Sequence, residues 1–339
     1  MDAPGVPSDP RPEGLAVHYN FGIEWLKAFR DAPETVCALY EDEGFVFEDV
    51  MLDQHNIHTK PDLLRLFSLY ANKDATNGFG IHNFKIRSYV GDRRSGLLRW
   101  EWAPEHAGMF IGLDVAGKPF GTQGHTFHIY NEAGRIVRES SWWDAGAVLR
   151  QVGPVSPTKS LTGVTGVAKA GDGSAFTRAG SGLEHAQRWC AAVSNDVEAL
   201  GHLYSDYFTS EWNMVDDHLE DTITDREMLA AQLGGLSSGE NGRWTLEATE
   251  VFEGNGHQLT HWNLTVEGAS TYRGLPTNGQ TIRTLGSTFH QFDEEGKILL
   301  ESTCIEDNRV FVQLGVPILR PHYWEEDFDM AAFVASLGA

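Results

Sequence analysis

The chain has 339 residues, which is long for a single hydrophobic core and suits two domains of ordinary size. Its formal net charge of −22 disfavours nucleic acid and anionic membranes as partners, because their phosphates would be repelled. No segment approaches the roughly 20 apolar residues of a membrane span, so we expect a cytoplasmic protein. Cys37, Cys190 and Cys304 lack the spacing of a metal site.

The first half of the chain predicts helices followed by strands. Apolar residues recur at helical spacing over residues 14–39, with an interruption at Asp31-Ala32-Pro33 where a helix should end. A shorter helix is predicted over residues 61–69, because Pro61 suits a first helical turn. Segments rich in β-branched and aromatic residues then predict strands at 81–91, 95–103, 107–115, 122–131 and 135–143.

The second half of the chain repeats this order after a break. Residues 154–181 are rich in Pro, Gly, Ser and Thr, and they predict a linker. Helical spacing returns at Leu183, and a second short helix is predicted over residues 226–233. The aromatic residues of a tail at 317–339 predict a segment docked on one of the domains.

One motif stands in both halves at a constant separation of 162 residues. Gly-His-Thr-Phe-His at 124–128 is matched by Gly-Ser-Thr-Phe-His at 286–290, and Trp100 is matched by Trp262. Because the register holds without an insertion, we predict two tandem copies of one domain, at 14–153 and 182–316. Helices that precede an antiparallel meander predict an α+β fold for each copy.

Three segments of the first copy resemble a known family. They are His106-Ala-Gly-Met-Phe-Ile-Gly-Leu-Asp-Val-Ala-Gly-Lys118, Phe45-Val-Phe-Glu-Asp49, and Gly134-Arg-Ile136 with the later Trp142-Trp-Asp144. In this order and spacing they resemble the SnoaL-like polyketide cyclases. The resemblance implies a nuclear-transport-factor-2-like cone, in which helices close one side of a strongly curved sheet around a deep pocket. It also implies an intramolecular pseudo-dimer, with further homo-oligomers left open.

Histidine spacing raises the question of a metal site. His125 and His128 lie three apart, so on a strand they point to opposite faces and cannot both bind one ion. His128 is matched by His290, whereas His125 is matched by Ser287. We therefore predict that the shared face, with His128, is a sheet interface, and that His125 faces the pocket as an acid-base group. A histidine that is merely hydrogen-bonded in the core is the alternative.

Four charged residues are further candidates. Asp144 corresponds to Glu306 and lies where the resembled cyclases place a pocket acid, although a helix cap at the surface is the alternative. Asp49, Arg99 and Glu101 are matched by the uncharged or weakly basic Asn213, His261 and Asn263. Their loss from the second copy predicts an active first pocket and a degenerate second one; exposed ion pairs are the competing interpretation.

Aromatic residues indicate what the pocket would bind. Trp100, Trp102, Trp142 and Trp143 offer flat apolar surfaces for a ring-bearing ligand, with Tyr40, His58 and Glu101 as further contacts. We find no nucleotide-binding or nucleophile motif, so we expect chemistry without a cofactor or metal.

The sequence thus predicts a cofactor-independent lyase or isomerase that moves protons on a hydrophobic aromatic small molecule. His125 and Asp144 would transfer protons, while Asp49 and Arg99 would position polar groups. Dehydration or retro-aldol cleavage of a lignin-derived diaryl compound is the favoured reaction, by analogy with sphingomonad lyases of the same fold. A polyketide aldol cyclase and a non-catalytic binding protein are the alternatives.

Overall fold

The structure is a computed structural model, and it describes residues 15–52, 54–92, 94–153, 182–213, 223–236 and 239–316 with five positions beyond them, at 318, 326, 327, 329 and 332. The described residues divide into two compact units. One unit extends to Trp143 and takes in Gln151–Gly153, whereas Asp144–Arg150 belongs to the second unit. The predicted linker at 154–181 and nearly all of the predicted tail at 317–339 lie outside the described residues.

The first unit contains a helical layer and a six-stranded sheet. Its helices are α1 (Leu15–Asp31), α2 (Pro33–Cys37) and α3 (Lys60–Ser68), with a 3-10 turn at Val50–Leu52. Its strands are β1 (Glu43–Asp49), β2 (Gln54–Thr59), β3 (Phe79–Gly91), β4 (Ser95–Ala107), β5 (Met109–Phe110), β6 (Leu113–Asp114), β7 (Thr122–Tyr130) and β8 (Ile136–Trp143). Helix α4 (Ala145–Val152) follows β8 directly and was not predicted from the sequence.

The second unit repeats this order of elements. Its helices are α5 (Gly182–Asn195), α6 (Val197–Gly201), α7 (Arg226–Leu236) and α8 (Asp307–Gln313), with a 3-10 turn at Gly239–Asn241. Its strands are β9 (Tyr204–Trp212), β10 (Arg243–Glu253), β11 (His257–Glu267), β12 (Thr271–Tyr272), β13 (Leu275–Pro276), β14 (Ile282–Phe292) and β15 (Ile298–Ile305). No helix in the described ranges has both the length and the apolar character needed to cross a membrane.

Five strands of the first main sheet have the same order as the five strands of the second, and β2 is an additional edge strand of the first. The first runs β2-β1-β8-β7-β4-β3, and the second, read from the corresponding edge, runs β9-β15-β14-β11-β10. The predicted α+β class is therefore confirmed. The sheets are not wholly antiparallel, because β1 pairs in parallel with β8 and β9 in parallel with β15. Each long outer hairpin has a register shift at the same repeat position, Ile86/Ser88 and Ala248/Glu250, and such bulges bend a strand.

One predicted strand is wrong in its extent. The segment 107–115 splits into the β5-β6 hairpin, which forms a separate two-stranded sheet. Its turn residues Ile111 and Gly112 both have positive φ, at 44° and 88°, as a two-residue hairpin turn of the primed type requires. The hydrophobic pattern of the sequence does not reveal such a turn, because Ile111 is β-branched and favours a strand.

The repeated Gly-x-Thr motif packs a tryptophan across the sheet in each unit. The indole N–H of Trp100 donates to the Thr126 hydroxyl at 2.9 Å, and that of Trp262 donates to the Thr288 hydroxyl at 2.9 Å. A Cβ atom added at Gly286 would lie 2.1 Å from the Trp262 ring, so a side chain has no room there. The motif therefore has a structural explanation that is common to both units.

We expect Gly286→Ala to destabilise the second unit by about 1–3 kcal/mol or more, because the new methyl group overlaps a fully buried indole. Gly235→Ala is the matched control: a Cβ at this position of α7 meets nothing within 4 Å, and the change should be neutral or stabilising by up to about 1 kcal/mol. Chemical denaturation followed by circular dichroism checks both variants. Equal stability of the two variants would contradict this account of the motif.

Candidate active site

The first unit contains a cavity of about 70 Å³ beneath its helices. Its walls are mainly aromatic and aliphatic, from α1, α3 and the covered face of the sheet. The polar side chains that reach it are Asp49, Thr122, Thr126, Glu139 and Ser141. The volume is well below the roughly 300–1,000 Å³ of sites for drug-sized ligands, so a molecule that fits must be small or enter with one ring.

Strand alternation explains which side chains reach the cavity. Successive residues of a strand point to opposite faces of a sheet. Trp100 and Trp102 of β4 line the cavity, as do Glu139, Ser141 and Trp143 of β8. The spacing of two within each strand places all of them on one face.

Asp49 ends strand β1 at the cavity wall and is 9 % exposed. Its carboxylate accepts hydrogen bonds from the Trp143 indole N–H at 3.1 Å and from the backbone N–H of Leu52 at 3.2 Å. Burial raises the pKa of Asp49 to about 7, against the lowering effect of those two donors. The negative charge of Glu139 raises this pKa further. Asp49 can therefore both give and take a proton near neutral pH.

Glu139 lies at the back of the cavity in a hydrogen-bonded network. Its carboxylate accepts from the Tyr40 hydroxyl, lies 2.8 Å from His128 Nε2, and accepts from the Ser141 hydroxyl at 3.1 Å. Glu139 is 2 % exposed, so these partners compensate for a charge removed from water. The network also joins β8 to β7 and to the segment before β1.

The second unit repeats the network around Glu301. This carboxylate accepts from Tyr204 at 2.5 Å and from Ser210 at 2.7 Å, and His290 Nε2 lies 2.9 Å away. Trp189 adds a donor at 2.9 Å, and the indole N–H of Trp212 adds another. Burial raises the pKa of Glu301, but the hydrogen bonds and charge of His290 and the other donors outweigh it, and the net shift is downward.

Strand register identifies what replaces Asp49 in the second unit. Asp49 pairs with Ser141, and Trp212 pairs with Thr303, which is the repeat equivalent of Ser141. Trp212 therefore occupies the position of Asp49, which corrects by one residue the sequence match of Asp49 with Asn213. The Trp212 ring lies 5.7 Å from that of Trp189, so an indole fills the space beside the repeated glutamate.

Four predicted site residues line the cavity: Asp49, Trp100, Trp102 and Trp143. A fifth, Tyr40, is fully buried and reaches the site through its hydrogen bond to Glu139. Trp102 is held by a hydrogen bond from its indole N–H to His82 Nδ1 at 2.9 Å. Burial lowers the pKa of His82 to about 4, which keeps this ring neutral and able to accept.

The predicted orientation of His125 is wrong. In β7 the cavity is lined by Thr122 and Thr126, so His125 points to the opposite face of the sheet. There it is paired in register with Arg99 on one side and Trp142 on the other. Glu101 shares that face and forms ion pairs of 3.5 Å with Lys85 and Arg87. None of these predicted site residues lines the cavity.

His125 was predicted to face the pocket because the opposite face, which both copies share and which carries His128, was predicted to be a sheet interface. His128 lies on the cavity side, with its ring 5.6 Å from that of Trp25 on α1 and its Nε2 beside Glu139. Residues kept in both units therefore build the interior network of each domain. A buried carboxylate restricts which residues can surround it as strictly as an interface would.

Asp144 and His58 are also corrected. Asp144 caps α4 by accepting from the Ala147 backbone N–H at 2.9 Å, but at 2 % exposure it is buried and not the surface cap considered from the sequence. It pairs with Arg150 at 3.2 Å and lies 3.9 Å from Arg273. His58 lies on the edge strand β2, is exposed, and its Nδ1 is 3.0 Å from the Phe45 carbonyl. Neither residue lines the cavity.

Sequence reasoning did not single out Glu139, Trp25, Thr126 and Ser141 as site residues. The available signal was the repeat, since Glu139 and Glu301 are 162 positions apart and an acid kept within a strand implies buried partners. Within the described ranges, no three His, Cys, Asp or Glu side chains come together as a potential metal site.

We expect Asp49→Asn to stabilise the protein at pH 8 and to change its stability less at pH 5. The raised pKa of Asp49 means that its stabilising contribution is complete below about pH 4 and is lost as the pH rises to about 7. Above pH 7 the penalty for the buried charge reaches up to about 4 kcal/mol, at about 1.4 kcal/mol per pKa unit. The neutral amide avoids that penalty.

Differential scanning calorimetry at both pH values measures this effect. Glu24→Gln removes an exposed charge from α1 and serves as the control, with little change expected at either pH. If Asp49→Asn were equally or more strongly stabilised at pH 5, the carboxylate would not be desolvated as described.

One part of the chain matches a protein-family model, and several solved structures are similar to about one domain of it. Residues 26–152 match the family model of SnoaL-like polyketide cyclases, which is less than half of the chain. A search of curated proteins finds no match.

Several solved structures are similar over about one domain. AclR from Streptomyces galilaeus, provisionally named a hydroxylase, is 16 % identical, covers 47 % of this chain and 92 % of its own, and has a TM-score of 0.33. A ketosteroid isomerase-like protein from Catenulispora acidiphila is 17 % identical, with 40 % and 96 % coverage and a TM-score of 0.33. An LEH-like epoxide hydrolase from M. tuberculosis is 12 % identical, with 39 % and 88 % coverage and a TM-score of 0.30.

At such identities and TM-scores these structures say nothing about the activity of this chain. The family match confirms the resemblance found in the sequence motifs, and it covers the cavity-lining residues other than Trp25. Residues 26–152 are thus similar to SnoaL-like polyketide cyclases over one domain.

Proposed function

We propose that the first domain is a cofactor-independent acid-base enzyme, a lyase or isomerase, that moves a proton on a small ring-bearing molecule. The observation that carries this proposal is the carboxyl group of Asp49, which has a pKa of about 7 at the wall of a mainly apolar cavity. A general acid or base works best when its pKa lies near the working pH.

Asp49 would act as the proton-transfer group. At neutral pH both of its protonation states are populated, so it can remove a proton from carbon and return it elsewhere. The hydrogen bonds from Trp143 and Leu52 hold the carboxylate in place at the cavity wall. A fixed base saves the entropy of bringing catalyst and substrate together.

The walls of the cavity favour a flat, apolar substrate. Trp100, Trp102, Phe110 and Trp143 line one part of it, and the ring of Trp102 lies 4.9 Å from that of Phe110. Aromatic walls of this kind pack against ring systems by stacking and edge contacts. The volume of about 70 Å³ limits the enclosed part to a small ring.

Within this class we propose dehydration or retro-aldol cleavage, with a lignin-derived diaryl compound as the substrate by analogy with sphingomonad lyases of the same fold superfamily. One aryl ring would occupy the cavity and the other would lie outside it. In the dehydration, Asp49 would remove a proton from carbon, the adjacent carbonyl group or ring would accept the electron pair, and a β-hydroxyl group would leave as water after protonation. In the retro-aldol cleavage, Asp49 would remove the proton of a β-hydroxyl group, whose oxygen would form a C=O bond while the C–C bond breaks and its electrons pass to the carbonyl group or ring.

A polyketide aldol cyclase is the second candidate, and the SnoaL-like family match favours it. It uses the same proton abstraction, but the carbanion then attacks a carbonyl group of the same molecule.

The expected pseudo-dimer and any homo-oligomer stay predictions, as does the aromatic small molecule as partner.

We expect the protein to catalyse exchange of α-hydrogens for deuterium in small aryl ketones, because exchange reports proton abstraction whichever bond changes later. The rate should rise with pH, in proportion to the ionised fraction of Asp49, and level off above about pH 7. Asp49→Asn should lower the rate by about 10²–10⁴-fold. Glu24→Gln is the control and should exchange at the parent rate. Proton NMR in D₂O measures all three.

Trp143→Phe tests the source of the Asp49 pKa. The indole hydrogen bond lowers this pKa, so its loss should move the rising limb of the rate profile to higher pH. A merely structural role for Trp143 would lower the rate without moving the limb. If the parent and the variants bind a ligand but none of them catalyses exchange on any ketone, the first domain is a binding protein and not an enzyme.

A further inference from the structure

The chain contains four Asn-Gly pairs, at 77–78, 241–242, 255–256 and 278–279. In each pair the glycine has a positive φ, so each pair lies in a turn that a residue with a side chain adopts less easily. Asparagine is chemically labile, and most so before glycine, because no side chain then shields the backbone nitrogen that attacks its amide. The four pairs share this dipeptide, and they differ in what surrounds it.

The Asn77 side chain is held by hydrogen bonds at both of its polar atoms. Its Nδ2 donates to Asn72 Oδ1 at 2.9 Å, and its Oδ1 accepts from Asn72 Nδ2 at 3.1 Å. The same Oδ1 also accepts from the Phe79 backbone N–H at 3.1 Å. The amide cannot turn toward the following backbone nitrogen without breaking these bonds.

Asn241 is restrained through its side chain and through the backbone of its glycine. Its Nδ2 donates to the Gly235 carbonyl at 2.7 Å. The Gly242 N–H donates to the Gly239 carbonyl at 3.4 Å, and a Cβ added at Gly242 would lie 2.5 Å from the Glu267 carbonyl oxygen. The nitrogen that would attack is therefore hydrogen-bonded, and its surroundings are crowded.

Asn255 has an exposed side chain, but its turn is held in place. The turn joins β10 to β11, and the Gly254 N–H donates to the His257 carbonyl at 2.8 Å. The Gly256 carbonyl accepts from the Phe292 N–H at 2.9 Å, and the Asn255 carbonyl lies 3.1 Å from His257 Nδ1. The backbone on both sides of the reacting bond is thus restrained.

Asn278 lacks these restraints. It is exposed, and its side chain makes no hydrogen bond to any described residue. Asn278 and Gly279 are the central residues of the turn between β13 and β14, with φ of 52° and 77°, and the Gln280 N–H closes this turn on the Thr277 carbonyl at 3.0 Å. Gly279 is also exposed, and a Cβ added there meets nothing within 4 Å.

We propose that Asn278 is a site of spontaneous deamidation, and the principal one among the four pairs. The Gly279 backbone nitrogen loses its proton to hydroxide and attacks the side-chain carbonyl carbon of Asn278. The bond from that carbon to the amide nitrogen breaks, and ammonia leaves with a proton from water. Water then opens the resulting succinimide at either carbonyl group, which gives aspartate or isoaspartate. The net reaction consumes one water molecule, releases one ammonia molecule and needs no cofactor.

The modification changes both the charge and the backbone of the turn. It adds a negative charge to a chain whose formal charge is already −22. The isoaspartyl form also adds a methylene group to the backbone beside Thr277, which is fully buried and whose hydroxyl donates to the Ala269 carbonyl. The inference does not depend on the proposed function, because this turn belongs to the second unit.

Peptide mapping by mass spectrometry, after incubation of the whole protein at pH 8, measures the loss of each asparagine. Asn278 should react fastest. Asn77 and Asn241 are controls within the same molecule, and they should react about tenfold more slowly or less, because breaking even one ordinary side-chain hydrogen bond costs about that factor. An Asn278→Asp variant supplies the aspartyl standard, which distinguishes that product from isoaspartate by its retention time.

The same incubation in guanidinium chloride shows whether the fold sets this order. The four rates should converge in the unfolded chain, and the ratio of the native rate to the unfolded rate should be largest at Asn278. If Asn77, Asn241 or Asn255 reacts as fast as Asn278 in the folded protein, or if the four ratios are equal, the inference is overturned. The proposed function is unaffected by either result.

Discussion

The interior of each unit depends on one buried carboxylate. Glu139 is 2 % exposed and Glu301 is 1 % exposed, and an ion removed from water costs several kcal/mol unless hydrogen bonds replace its hydration. The donors come from different elements, so they tie the elements together. His128 reaches Glu139 from the adjacent strand, and Tyr40 reaches it from the segment that precedes β1. In the first unit the glutamate thus fixes the position of β8 relative to β7 and to the segment that precedes β1.

A single position then decides whether the space beside this carboxylate is open. At the end of the strand parallel to β8 or β15, the first unit has Asp49 and the second has Trp212. The Trp212 indole donates to Glu301 and packs near Trp189, which fills the interior. Asp49 is too short to do so, and a cavity remains. An unfilled cavity and a desolvated acid both reduce stability, and retention of both is typical of a functional site.

Much of the fold could be predicted from the sequence, whereas the site could be predicted only in part. The helix break at Ala32, the order of strands and the repeat of 162 residues follow from periodicity and turn chemistry. The direction of each strand face does not, because buried networks and interfaces both keep residues constant between copies. His125 was therefore assigned to the cavity and His128 away from it. The match of Asp49 failed by one residue, since only pairing with β8 sets that register.

The two units also differ at a second position, and the two differences act together. Trp143 of the first unit corresponds to Ile305, as Asp49 corresponds to Trp212. At these two positions each unit therefore has one tryptophan, but on a different strand and with a different hydrogen-bond acceptor. In the second unit the Trp212 N–H adds to the donors of Glu301. In the first, the Trp143 N–H holds an additional carboxylate, Asp49, in apolar surroundings. Moving one indole from β1 to β8 thus exchanges a filled core for a proton-transfer group at a cavity wall.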